Sequence, residues 1–124
     1  MKQAISTEKA PAAIGPYSQG IKASGLVITS GQLPIDPTTG TLPEGIKAQT
    51  NQSMLNCKNI LASAGIDMGK VIKTTVFLSD MNNFTSMNEV YATFFEGACP
   101  ARSAVEVARL PKDALVEIEC IAVE

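Results

Sequence analysis

The chain has 124 residues, a net charge of −2, 45% hydrophobic and 18% charged residues, and no histidine. That length suffices for one domain, 1–124, and is short for two; the composition excludes a disordered chain. Without imidazole there is no Ser-His-Asp or Cys-His nucleophile system.

Mild acidity and scattered Lys and Arg leave no basic face for a phosphate backbone, so charge does not support a nucleic-acid role. Cys57, Cys99 and Cys120 are odd in number and lack a CxxC spacing, which points away from zinc and toward free thiols in a reducing cytosol. The segment Met1–Ser6 has no apolar signal core, and no apolar run approaches the ~18 residues of a membrane span. The expectation is a soluble, cytoplasmic chain.

In chain order, Lys2 to Ser6 reads as a short strand, followed by a loop pinned by Pro11 and Pro16. Gln19 to Ala23 and Leu26 to Leu33 read as a hairpin turning at Ser24-Gly25. Pro34 to Pro43 is a turn-rich connection built on Asp36-Pro37 and Gly40. A helix follows from Ile46 to Ala64, with Met54, Cys57, Ile60, Leu61 and Ala64 on its apolar stripe and Gly65 as a left-handed cap. Val71 to Leu78 is β-branched and reads as a strand. Phe84 to Phe95 reads as a second helix with Phe84, Met87, Val90, Tyr91 and Phe94 as its stripe.

Cys99-Pro100 then breaks the chain before two closing strands joined by a Leu110-Pro111-Lys112-Asp113 turn. Arg102 heads the first of these strands and Glu117 lies inside the second. If the two strands pair, a cation and a carboxylate meet on one sheet face.

This order implies an α+β fold, a mixed sheet with two helices on one face. In the last strand Val116, Ile118, Cys120 and Ala122 point one way, under the helices. Leu115, Glu117, Glu119, Ile121 and Val123 point the other way, onto a half-apolar face. Such a face marks an interface, so a homo-oligomer with sheets facing one another is expected.

Six residues stand out for chemistry. Arg102 presents a planar fork suited to a carboxylate, or forms a structural ion pair with a nearby glutamate. Glu117 can hold a water as a general base, or sit salt-bridged at a rim; Glu119 reads as a rim residue. Ser30-Gly31 ends an apolar strand, where glycine permits close backbone approach to a ligand or marks a β-bulge. Tyr17, placed by Gly15-Pro16, closes over a ligand or covers the core edge. Asn88, a poor helix former inside a helix, orients a ligand or a partner loop, or faces solvent. Cys120 reads as inert core.

Four segments in order, Gly15-Pro-Tyr-Ser-Gln-Gly20, Ile28-Thr-Ser-Gly-Gln32, Val71–Leu78 and Pro100-Ala-Arg-Ser103 through Val105–Pro111, resemble the RidA/YjgF (L-PSP) family across essentially the whole chain. The closest similarity is to its imine/enamine deaminase branch. The resemblance implies a chorismate-mutase-like (ferredoxin-like) fold and a homotrimer whose sheets form a central barrel, with sites between subunits. It implies hydrolysis of 2-imino and 2-enamino acids to 2-keto acids and ammonia, with no metal or organic cofactor.

Arg102 then falls on the family's carboxylate-binding arginine and Glu117 on its water-positioning glutamate. Ser30, Gly31, Tyr17 and Asn88 fall on pocket positions. One departure is Ala104, where many members carry a cysteine. Two rivals stand beside this reading: a keto-acid-binding regulatory module without turnover, and an endoribonuclease or translation inhibitor. The net charge and the missing histidine weigh against the latter.

Overall fold

The computed structural model describes residues 1–124. Six strands form one mixed sheet: β1 (Gln3–Ile5), β2 (Gly20–Ala23), β3 (Leu26–Thr29), β4 (Val71–Leu78), β5 (Ala101–Glu106) and β6 (Val116–Val123). Their spatial order is β1-β2-β3-β6-β4-β5. All neighbours are antiparallel except β4 and β5, which run parallel. Two helices, α1 (Ile46–Ser63) and α2 (Phe84–Tyr91), pack against each other on one side, with α1 lying on β3 and β6. No helix is long and apolar enough to cross a membrane.

The core follows the strand alternation. Val116, Ile118, Cys120 and Ala122 of β6 are buried and meet Met54, Cys57, Ile60 and Leu61 of α1 in one cluster. Ser24 and Gly25 both have positive φ, at 52° and 78°, so the β2–β3 turn has the mirror-image twist that a two-residue hairpin requires. Gly65 ends α1 at φ 78°. Its amide donates to Ala62 O at 2.9 Å and that of Ile66 to Leu61 O at 3.0 Å, which satisfies the last carbonyls of the helix.

Three features depart from the sequence expectation. The two closing strands do not pair, because β4 lies between them. Its residues Thr74 and Phe77 pair with Arg102 and Val105 on one side and with Cys120 and Glu117 on the other. The Leu110–Asp113 segment is therefore no hairpin turn but a 3-10 turn with Lys112 and Asp113 at φ 58° and 54°.

The second departure is β3, which stops at Thr29. Ile28 pairs with Ile121 but Gln32 bridges Ile118, so three residues oppose two and the strand carries a bulge at Ser30-Gly31. The Thr29 hydroxyl fills the gap by accepting from the Cys120 amide at 3.0 Å. The third is α2, whose regular part ends at Tyr91 and continues as a 3-10 turn to Phe94.

The helix-free face of the sheet carries Ile28, 41% exposed, and Val105, 44% exposed, with Ile72 at 46% beside the β4 irregularity. Helix α1 also buries Gln49 and Asn56. Asn56 donates to the carbonyls of Leu33 and Ile35 at 3.0 and 2.9 Å, holding the chain just past the bulge. Gln49 Oε1 accepts from the Leu115 amide at 2.8 Å, just ahead of β6. These two amides fix both segments that carry the site.

Candidate active site

The six candidate residues fall into two clusters. The first surrounds Arg102. Its register partner Thr74 is buried beneath the helices, so the Arg102 side chain faces α2. There its Nη1 donates to Asn88 Oδ1 at 2.7 Å. Its Cζ lies 4.9 Å from the Tyr91 ring centroid and 5.4 Å from that of Phe84. Phe84, Asn88 and Tyr91 are spaced i, i+4, i+7, which puts all three on one helix face.

Two of the bland readings therefore fail. Asn88 does not face solvent. Within the chain Arg102 makes no ion pair, since the salt bridges are Lys22–Glu124 and Lys47–Glu89. Held by one oxygen and two rings, the guanidinium keeps further N–H donors for a carboxylate.

The second cluster surrounds Glu117. Its register partner is Phe77, on the helix-free face. A Cβ at Gly31 would lie 2.8 Å from Glu117 Oε2 and 2.9 Å from Cδ, so the close approach that Gly31 permits is that of Glu117 itself. Its φ lies outside the left-handed region, so space and not backbone freedom requires glycine here.

The Ser30 hydroxyl donates to Ser18 O at 2.6 Å and its amide to Gln19 O at 2.8 Å, which ties the Tyr17 loop to the bulge. Gln19 anchors the same loop from inside: its Oε1 accepts from the Thr7 amide at 2.7 Å and its Nε2 donates to Pro11 O at 2.8 Å. Tyr17, 52% exposed, lines a largely apolar cavity of about 270 Å³ with Gly31, Gln32, Pro111 and Lys112.

Burial raises the Glu117 pKa above the ordinary carboxylate value, and the charge of Glu119 two residues on adds to the rise. No cation pairs with it. A carboxylate so placed is a stronger base than a solvated one and suits proton abstraction from water.

Within one chain, Arg102 and Glu117 point to opposite faces of the sheet. The structure brings Arg102 together with Asn88, and Glu117 with Gly31, Ser30 and the Tyr17 loop. Sequence reasoning did not assign Phe84, Tyr91 and Thr74 to the site. The signal was an asparagine set inside an apolar stripe at helical spacing, which shows that the stripe's edge faces something polar.

Comparison with known proteins places the whole chain. Residues 7–124 match the family model described as Endoribonuclease L-PSP. The 2-iminobutanoate/2-iminopropanoate deaminase of Salmonella typhimurium is 53% identical, over 99% of this chain and 98% of that protein. A RutC family protein of Pyrococcus horikoshii is 58% identical over 98% of each chain. The crystal structure of E. coli TdcF with bound serine superposes with a TM-score of 0.96 at 48% identity, covering 98% of each chain. Motifs, sheet order and these relatives agree: the chain belongs to the L-PSP family, the RidA/YjgF family that its motifs resemble.

Proposed function

We propose that this protein is a hydrolase that deaminates 2-imino and 2-enamino acids, such as 2-aminoacrylate, to 2-keto acids and ammonia. The observation that carries the reading is the pair of uncompensated charges. Arg102 is caged without a carboxylate, and Glu117 is half-buried without a cation. Their placement on opposite sheet faces favours sites shared between copies of a homotrimer, Arg102 and Asn88 from one copy and Glu117, Gly31, Ser30 and Tyr17 from the next. The exposed apolar residues of the helix-free face favour the same assembly. The bound serine of TdcF and the deaminase from Salmonella fit a small substrate bearing a carboxylate. Three cysteines, an odd number, favour the cytosol as the setting.

The chemistry follows from the residues. The Arg102 fork grips the substrate carboxylate. An enamine first gains a proton from solvent at its β-carbon and becomes the iminium ion. Glu117 takes a proton from a water as that water attacks the C=N carbon. The resulting amino alcohol takes that proton from Glu117 on its nitrogen and expels ammonia, while its hydroxyl proton leaves to solvent and the keto acid remains. The iminium carbon is already electrophilic, so positioning and one base suffice, with no metal or organic cofactor.

Two assays test this. A serine dehydratase generates 2-aminoacrylate, and its loss is followed with catalytic amounts of the protein. Acceleration that Arg102→Ala abolishes supports the reading. No acceleration by the folded protein, with pyruvate still bound, makes it a keto-acid-binding module. Exchange of subunits between Arg102→Ala and Glu117→Gln trimers should restore about a quarter of the activity if each site draws one residue from each of two copies. No restoration after verified exchange sinks the shared-site arrangement.

A further inference from the structure

Besides Asn88, the Arg102 guanidinium meets an aromatic ring. Tyr91, 6% exposed, stacks one ring face near the guanidinium, with its centroid 4.9 Å from Cζ, and packs against Phe95 at 5.0 Å. Its hydroxyl lies 2.6 Å from Thr74 Oγ1, and Thr74, 1% exposed, is the register partner of Arg102 on the adjacent strand. The ring that faces the arginine is thus bolted to the strand that carries the arginine's neighbour. Asn88 holds one guanidinium nitrogen, and the Tyr91 ring lies against the guanidinium. Burial raises the pKa of this phenol, which stays neutral and hydrogen-bonded to Thr74.

Resting on the carboxylate reading of Arg102, we infer that the Tyr91–Thr74 hydrogen bond is the positioning device of the carboxylate fork, and that Tyr91 and Thr74 set affinity for the carboxylate without taking part in the hydrolytic step. Two parallel N–H···O bonds demand a fixed plane, and a freely tilting guanidinium keeps the charge but forfeits one of them.

Titration of pyruvate by calorimetry separates this inference from the reading beneath it. Tyr91→Phe, Thr74→Val and the double variant should each weaken binding by about fivefold, the worth of one hydrogen bond, and all by the same amount because each breaks the same bond. Thr74→Ser, which keeps the hydroxyl, should bind like the parent. In turnover the variants should raise KM and leave kcat unchanged.

A merely structural role gives a different pattern: lower melting temperatures with unaltered affinity. ¹⁵N NMR of the Arg102 guanidinium in the free protein adds a ligand-independent readout. Its rotation about Nε–Cζ should be slower in the parent than in Tyr91→Phe or Thr74→Val. Loss of binding in Arg102→Ala with full affinity in folded Tyr91→Phe and Thr74→Val overturns the inference alone. Full affinity in Arg102→Ala overturns the carboxylate reading and the inference together. Weakening in Tyr91→Phe that Thr74→Val does not reproduce also overturns it.

Discussion

Replacing Gly31 by alanine should damage turnover far more than stability. The new Cβ would meet Glu117 Oε2 at 2.8 Å, Cδ at 2.9 Å and Cγ at 3.3 Å. Ordinary carbon contacts begin near 3.5 Å, so the Glu117 carboxylate must retreat by roughly 0.6 Å. The obstacle is the end of a flexible side chain, and turning it off its rotamer costs of order 0.5–1.5 kcal/mol. The φ of Gly31 adds no strain of its own.

The melting temperature should therefore fall by about 4 °C for each kcal/mol, a small loss. In the proposed mechanism Glu117 holds the attacking water, and a displacement of this order is worth up to about 100-fold in rate. The assay pairs scanning calorimetry with dehydratase-coupled loss of 2-aminoacrylate. Glu117→Ala removes the obstruction, so Gly31→Ala should not lower the melting temperature further in that background. Wild-type turnover by Gly31→Ala, or a melting loss as large in the Glu117→Ala background as alone, would refute the reasoning.

Four further outcomes follow from the same geometry. Arg102→Lys keeps the charge without the fork and should weaken pyruvate binding by about tenfold or more in a calorimetric titration. Glu117 must be ionised to act as a base, so kcat should fall on the acid side with an apparent pKa above that of an ordinary glutamate. Glu119→Gln, which removes the neighbouring charge, should move that limb to lower pH. The raised pKa means that ionised Glu117 opposes folding. Glu117→Gln should be the more stable protein at neutral pH, and the gain should vanish as pH falls below the unfolded-state glutamate pKa. Asn56→Ala strands the carbonyls of Leu33 and Ile35 and should cost about 1–3 kcal/mol by denaturant unfolding.

Much of the fold was legible because its signals are local. The β6 alternation, the α1 stripe, the Ser24-Gly25 turn and the Gly65 cap each rest on a few consecutive residues whose preferences agree. The Ser30-Gly31 bulge was one of two readings; what lies closest to Gly31 within the chain is the Glu117 side chain, which the sequence did not reveal. Strand neighbours were not legible. Arg102 and Glu117 lie on segments adjacent in sequence, yet β4 intervenes, because the ladder is chosen by which faces bury most apolar surface across the whole chain. The polar anchors Gln19, Gln49 and Asn56 were missed for a related reason. A buried amide is recognisable only when its distant partner is known.

By itself the sequence determined the element types, the two-faced last strand, the exclusion of imidazole chemistry and the short roster of candidate residues for binding or activating a small acid. Tertiary structure alone decided which of them share a space: Arg102 with Asn88 between two rings, Glu117 with Gly31 on the far face. Periodicity encodes the direction of a side chain relative to its own strand. Only the packed sheet encodes which strand lies beside it, and proximity in a site depends on both.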